Sequence, residues 1–217
     1  MAKAALAGLV LPALFLLLPA SAWAAPTVTE VASSVDRHYN RLHSLRVQFT
    51  ETYDGMGMKR TESGRLLLEK PGRMKWMYAQ PAGKVFLIDG KYAYSYTPGD
   101  AQADRYPAKK LDDFRTPLRF LLGHAHLEKE LSGLTMTQLG KVYRLRGVPK
   151  NMGQQVSEVD LTVTADGTIQ AISWKESDGA TTAFQLSDEQ KNPQIAPDSF
   201  HFQPPVGVVV VRGLAPI

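Results

Sequence analysis

His124 and His126 come nearest, of all residues in this chain, to the spacing of a metal-binding pair. Two imidazoles separated by one residue can face the same ion, but a zinc site needs at least a third protein ligand. The neighbouring sequence supplies none that can be placed beside them. Histidines that follow a helix are also favoured there by the helix dipole. We therefore predict no metal and interpret the pair as residues that follow a helix end.

The carboxylate pair Asp112-Asp113 is the nearest candidate for acid–base chemistry. It precedes a short helix predicted from Thr116-Pro117, where acidic side chains stabilise the positive helix end. The sequence has no cysteine, no Gly-x-Ser-x-Gly turn and no His-Glu-x-x-His motif. We predict that the protein is not an enzyme and uses no cofactor. A cluster of His124, His126 and a carboxylate would revive the enzymatic alternative.

The charge of the chain is mildly basic and evenly spread. Lys and Arg number 25 against 21 Asp and Glu, a formal net charge of +4. The basic residues are scattered, and no motif that alternates aromatic and basic residues accompanies them. The sequence therefore predicts no nucleic-acid binding.

Bulky apolar residues are a stronger signal than the polar ones. Met74, Trp76 and Tyr78 alternate with other side chains, as do Tyr92, Tyr94 and Tyr96. Such residues fill an ordinary core, or they line a lipid-sized cavity when a curved sheet has a helical cover. The residues predicted to line such a cavity from the strands are Val47, Phe49, Leu67, Met74, Trp76, Tyr78, Tyr92 and Tyr94.

The elements that must position these residues are mainly strands. Thr27 and Glu30 have the spacing of a capping box, which predicts an amphipathic first helix. After His43 the apolar period changes to two, and about ten strands follow, joined by tight turns such as Asp89-Gly90. The stretch 104–110 is polar and predicted to be irregular, while 200–202 and 208–211 read as short strands. The pattern predicts a mainly β protein whose antiparallel sheet curls into a barrel or splits into a sandwich.

The N-terminus has the pattern of an export signal. Lys3 precedes the uncharged apolar stretch 6–18, and Ala22-Trp23-Ala24 has the small-x-small form of a signal-peptidase site. The apolar stretch is too short for a stable membrane span. We therefore predict a signal peptide over 1–24 and one domain over 25–217. Without cysteine there is neither a lipidated N-terminus nor a disulfide.

Over nearly the whole mature chain the sequence resembles the LolA family of outer-membrane lipoprotein carriers. The resemblance rests on motifs in a fixed order rather than on any single residue. They are Gln48-Phe49, Gly64-Arg65-Leu66, 70–76 (KPGRMKW), Asp89-Gly90, Thr116-Pro117, Leu121-Leu122-Gly123, Asp178 and the terminal pattern of Asn192, Ile195, Phe200, Phe202, Pro205 and Gly207.

The resemblance implies an incomplete antiparallel β-barrel with a helical lid over an apolar cavity for acyl chains. Met74, Trp76 and Tyr78 fall on the cavity-facing strand, and Leu118, Leu121 and Leu122 fall on the lid. The family usually has Arg before the turn proline, where it bonds to the lid. Here that position is Lys70, which lacks the planar guanidinium fork and should hold the lid less firmly.

The resemblance also implies partners and a compartment. The expected protein is a monomeric periplasmic chaperone for lipoproteins. Its donor would be an inner-membrane ABC-type lipoprotein-releasing complex, and its acceptor an outer-membrane lipoprotein receptor. The absence of cysteine favours the soluble carrier over the anchored receptor.

Two other functions remain open on the same fold. One is a carrier of another amphiphile such as a glycolipid, because apolar walls recognise little besides chain volume. The other is a lipid-sensing regulator. Such regulators generally carry a further C-terminal domain, and the chain ends soon after Gly207, which favours the carrier.

Overall fold

The first helix begins at the predicted capping box. A computed structural model describes residues 25–111, 126–150, 152 and 154–213, and in it α1 spans Val28–Asn40. The Glu30 amide donates to the Thr27 hydroxyl at 3.2 Å, and the Thr27 amide donates to Glu30 Oε2 at 2.7 Å. One face of α1 is buried through Val31, Val35 and Tyr39. The helix therefore lies on an apolar surface, as its pattern predicts.

The rest of the described chain is dominated by one sheet of twelve strands. A single-turn helix, α2 (Leu127–Glu130), and short 3-10 turns at Ala108–Leu111 and Pro197–Phe200 accompany it. The strands are β1 (Ser44–Gly55), β2 (Met58–Glu69), β3 (Arg73–Gln80), β4 (Val85–Asp89), β5 (Tyr92–Tyr96), β6 (Gln102–Pro107), β7 (Leu131–Leu139), β8 (Val142–Pro149), β9 (Val156–Thr164), β10 (Ile169–Glu176), β11 (Thr181–Lys191) and β12 (Val209–Arg212).

The sheet differs from the predicted curled antiparallel barrel. Its order is β12-β6-β5-β4-β3-β2-β1-β11-β10-β9-β8-β7, and it is neither closed nor strongly curled. It is mixed, since β12 pairs with β6 in parallel. Because α1 packs across one face of the sheet, it buries the apolar side chains there. The sheet therefore need not close into a barrel to shield them from water.

Two local predictions were also wrong. The stretch 104–110, predicted to be irregular, includes most of β6, a strand in which Ala103 and Tyr106 are buried between polar neighbours. Its outer backbone groups are satisfied by β12, a pairing that no local pattern signals. Phe200 ends a 3-10 turn rather than starting a strand, because Pro197 favours a helical first turn.

Two glycines are required by close backbone approaches. Gly64 lies at a register shift between β2 and β3. A Cβ there would lie 2.1 Å from the Met77 carbonyl oxygen. Gly167, in the β9–β10 turn, has φ +88°, and a Cβ there would lie 2.2 Å from the Ser34 carbonyl oxygen. The second glycine therefore lets this turn reach the backbone of α1.

The two faces of the sheet have different covers. On the inner face, buried residues of β1–β3 and β8–β11 form one core with α1. On the outer face, the C-terminal segment covers β3–β5: the 3-10 turn contacts β3 and β4, and the Phe202 ring stacks on Tyr94 at 4.9 Å. Within the described residues, no helix is long and apolar enough to cross a membrane.

Candidate functional site

The inner face carries an aromatic cluster, formed by Phe49, Trp76, Tyr78, Phe184 and Trp174. Phe49 lies edge-on to Trp76 at 4.7 Å and to Tyr78 at 5.1 Å between ring centroids. Phe184 contacts Trp76 at 5.1 Å and Trp174 at 5.7 Å. Edge-on and offset ring pairs are the favourable arrangements. Strands from both halves of the sequence thus build one continuous apolar surface.

Gly64 makes the contact between Phe49 and Tyr78 possible. In the sheet register Gly64 lies opposite Phe49 on one side and Tyr78 on the other. With no side chain on β2 at this position, the two rings meet across the glycine. The glycine motif in the sequence therefore serves the aromatic cluster as well as the β2–β3 approach.

Five predicted cavity residues lie together on this face. Val47, Phe49, Met74 and Trp76 are buried in the core, and Tyr78 is half-buried beside them. The Trp76 Nε1–H donates to the Met74 sulfur at 3.1 Å. Sequence reasoning missed Phe184, although its alternation with Leu186 is the pattern of a strand with one inward face. Only the pairing of β1 with β11 shows that it meets Phe49.

Three other predicted cavity residues lie on the outer face. Leu67 and Tyr94 are in register with Lys75, on the opposite side of the sheet from Trp76. Tyr92 shares the face of Tyr94, since alternate residues of a strand point the same way. The structure therefore does not bring Leu67, Tyr92 and Tyr94 together with the aromatic cluster.

A polar network borders the aromatic cluster where β1 and β2 run towards their turn. The Tyr78 hydroxyl donates to Glu51 Oε2 at 2.9 Å, and the Lys84 ammonium lies 4.3 Å from the Tyr78 ring centroid. Glu62 is 5% exposed and is bonded by Lys84 and by Arg60 Nε at 3.2 Å. Burial raises the pKa of Glu51, and the Tyr78 hydrogen bond opposes that change only in part.

We expect Glu51→Gln to make stability less dependent on pH. A carboxyl whose pKa is higher in the folded than in the unfolded protein contributes its full stabilisation below the unfolded pKa, which is about 4.3. That stabilisation is lost as the pH rises through the pKa of the folded protein. The variant should therefore be more stable than the parent at pH 7, with the gap closing towards pH 4. Urea unfolding across this pH range measures it, and a gap independent of pH would contradict the assignment.

The end of α1 is fixed to the sheet by a buried polar network. The Tyr39 hydroxyl donates to Glu189 Oε2 at 2.9 Å and accepts from the Ile169 amide at 3.0 Å. His38 Nε2 lies 2.7 Å from Glu189 Oε1, with both side chains at most 10% exposed. Burial, then the Glu189 charge, raises the pKa of Tyr39 well above its usual value, so the phenol keeps its proton.

Lys70 also binds this helix. Its ammonium donates to the Tyr39 carbonyl oxygen at 2.7 Å, in the last turn of α1, and burial lowers the pKa of Lys70. A cation at the C-terminal end of a helix is favoured by the helix dipole. Lys70 therefore holds α1, which covers the inner face.

The remaining predicted residues are only partly described. Leu118, Leu121, Leu122, His124 and the aspartate pair 112–113 lie outside the described residues. His126 occupies the N-cap position of α2 without a side-chain capping bond, and its Nδ1 lies 3.6 Å from Asp36 Oδ2. Among the described residues no three His, Asp or Glu side chains group as a metal site would require.

Comparison with known proteins identifies the family. The model of the outer membrane lipoprotein carrier protein LolA matches residues 40–203. The chain belongs to the LolA family. This is a family of transport proteins rather than enzymes, and it implies a periplasmic carrier that handles outer-membrane lipoproteins.

Individual relatives agree with this assignment. The outer-membrane lipoprotein carrier protein of Bordetella avium is 31% identical over 70% of this chain and 71% of its own. That of Nitrosomonas europaea is 26% identical over 86% of this chain and 91% of its own. An uncharacterized protein from Thermus thermophilus shares the fold, with a TM-score of 0.55 and 12% identity over 87% of this chain and all of the other.

Proposed function

We propose that this LolA-family protein is a periplasmic chaperone that binds the acyl chains of lipoproteins released from the inner membrane and carries them to an outer-membrane receptor. The observation that carries the proposal is the aromatic cluster on the inner face. The cluster joins strands that are distant in the sequence into one apolar surface. The same face is covered by α1, which the Glu189 network and Lys70 hold in place. The names of the relatives support the same cargo.

The acyl chains would lie on the inner face. Val47, Phe49, Met74, Trp76 and Tyr78 would contact them, while Leu118, Leu121 and Leu122 would form the lid. Because the described side chains pack against one another, cargo must part them. Methionine suits that change, since its unbranched side chain repacks readily.

The energy of acyl transfer limits how tightly such a carrier can bind. Burial contributes about 0.8 kcal/mol per methylene, so a chain of about fourteen methylenes costs about 11 kcal/mol to expose to water. Several such chains, fully buried, would exceed the practical ceiling of about 18–21 kcal/mol for noncovalent binding. A carrier that must also release its cargo should bury the chains only in part, and transfer should follow the affinity differences between donor, carrier and acceptor.

The proposed partners follow from this cargo. The donor is an inner-membrane ABC-type lipoprotein-releasing complex, and the acceptor is an outer-membrane lipoprotein receptor. Residues 1–24 would direct export and be removed before Ala25, leaving 25–217 as one monomeric carrier domain. With no cysteine to be lipidated, the mature chain would travel between the membranes rather than stay anchored.

Release of lipoproteins from spheroplasts tests the proposal. Purified mature protein is incubated with spheroplasts, and the medium is assayed for lipoproteins that co-purify with it. We expect stoichiometric complexes with the parent chain and fewer with Trp76→Phe, which reshapes the aromatic cluster. Val206→Ser, altered at a fully exposed loop residue, serves as the matched control. Absence of release by a folded parent chain would refute the carrier function.

We expect Lys70→Arg to slow the release of bound acyl chains. A guanidinium can donate several fixed hydrogen bonds to the carbonyls it faces, whereas the ammonium gives fewer fixed ones. One further charge-assisted bond is worth roughly 1.5 kcal/mol, or about tenfold in rate. Stopped-flow displacement of a fluorescent fatty acid measures the change. Lys75→Arg, at a half-buried lysine of the outer face, is the control, and equal rates in parent and Lys70→Arg would contradict a latch at this position.

A further inference from the structure

The turn between β1 and β2 exposes an apolar tip. Met56 is 79% exposed and Met58 is 59% exposed, on either side of Gly57. Large apolar side chains normally avoid the end of a hairpin, because water surrounds them there and no core is in reach. Neither methionine belongs to the aromatic cluster or to the core that the proposed function uses.

The backbone of this tip is strained by its sequence. Met56 has φ +52° and Gly57 has φ +73°, a turn whose first central position favours Asn, Asp or Gly. The left-handed conformation costs a side-chain-bearing residue stability. A methionine at such a position, with its side chain in solvent, indicates a role that an asparagine would not fill.

The tip also projects from its surroundings. β2 pairs with β3 only from Ser63 onwards, so among the described residues Met58–Glu62 has no strand neighbour on that side. Lys59 follows the methionines directly, with its side chain 71% exposed. Arg60 is next, and its side chain is 54% exposed although its Nε lies 3.2 Å from Glu62 Oε1. Asp54 and Lys59 lie 3.6 Å apart but are both in solvent, where such a pair is weak.

We infer that the Met56–Arg60 tip contacts the surface of an anionic phospholipid bilayer. The thioether side chains would enter the boundary between headgroups and acyl chains, and the two cations would face lipid phosphates. Interfacial binding of this kind combines buried apolar area with attraction to anionic lipid. A bilayer suits the tip better than a protein pocket, since a flexible methionine pair flanked by exposed cations needs no shaped recess. The inference rests on the proposed function only in that such a carrier works beside membranes.

The strength of this contact can be bounded. Burying a methionine contributes on the order of tenfold in partition, and a basic residue near an anionic surface contributes roughly fivefold. With only two methionines and two cations the contact would be brief, which suits a protein that must leave each membrane. It should weaken as salt screens the cations.

Vesicle sedimentation tests the inference. The mature protein is mixed with vesicles of phosphatidylglycerol and phosphatidylcholine, or of phosphatidylcholine alone. We expect binding to the anionic vesicles, at least about tenfold weaker binding by Met56→Ser/Met58→Ser, and roughly fivefold weaker binding by Lys59→Gln. Val206→Ser, which removes a fully exposed apolar residue with no neighbouring cation in the sequence, should bind like the parent.

Two outcomes would overturn it. One is no binding to anionic vesicles by the parent chain, and the other is equal binding by the parent and the double methionine variant. Displacement of a fluorescent fatty acid is measured on the same samples. Retained fatty-acid binding with no vesicle contact defeats this inference alone, whereas retained vesicle contact with no lipoprotein release defeats the proposed function alone.

Discussion

Replacing Trp76 with alanine should lower the free energy of unfolding by about 3–5 kcal/mol. The side chain is 2% exposed, and its ring lies within 5.1 Å of the Phe49 and Phe184 rings, centroid to centroid. The substitution leaves a cavity at the junction of β1, β3 and β11. The strands cannot move together to fill it, because their hydrogen bonds fix the spacing between them. Urea unfolding monitored by far-UV circular dichroism measures the loss.

Trp174→Ala is the matched control for this prediction. Trp174 is half-buried at the margin of the same cluster and contacts Phe184 at 5.7 Å. Its removal should cost clearly less, because water and neighbouring side chains can occupy the space. Equal losses from the two substitutions would show that Trp76 is not central to the cluster.

Glu189→Ala should cost about 3 kcal/mol of stability and loosen α1 from the sheet. The carboxylate accepts a hydrogen bond from the Tyr39 hydroxyl at 2.9 Å and lies 2.7 Å from His38 Nε2. Each buried donor left without its partner costs about 1–3 kcal/mol. Amide hydrogen exchange should show α1 opening more readily, while β8 and β9 keep their protection.

Asp54→Ala provides the comparison for this substitution. Asp54 forms an ion pair with Lys59 at 3.6 Å, but the side chains are 64% and 71% exposed. An exposed pair contributes about 0–1 kcal/mol, so its loss should hardly change the unfolding midpoint. If Glu189→Ala is as mild as Asp54→Ala, the network does not hold the helix.

Features that depend on a few consecutive residues were predicted well. The capping box at Thr27 and the Asp-Gly turns have chemistry that acts over two to four positions. Strand alternation also placed Met74, Trp76 and Tyr78 on one face correctly. The family was identified because its motifs preserve their order along the chain.

Features that depend on distant pairing were not predictable in the same way. The parallel pairing of β12 with β6 joins Val209 to Gln102, and nothing near either residue signals it. Alternation placed Tyr92 and Tyr94 on one face, which was predicted to line the cavity, whereas the sheet register puts that face on the outer side. The Glu189 network escaped detection because its members, His38 and Tyr39, are separated from Glu189 by most of the chain.

The central position of β1 has a consequence for the order in which the protein can fold. β1 lies between β2 and β11, so the middle of the sheet is complete only after residue 45 has paired with residue 191. If export begins at the N-terminus, β1 and β2 reach the far side of the membrane long before β11. During that interval an apolar hairpin has an open edge, which is prone to pairing with other chains. Pairings of such long sequence separation form slowly, so the junction of β1 with β11 should be among the last parts of the sheet to close.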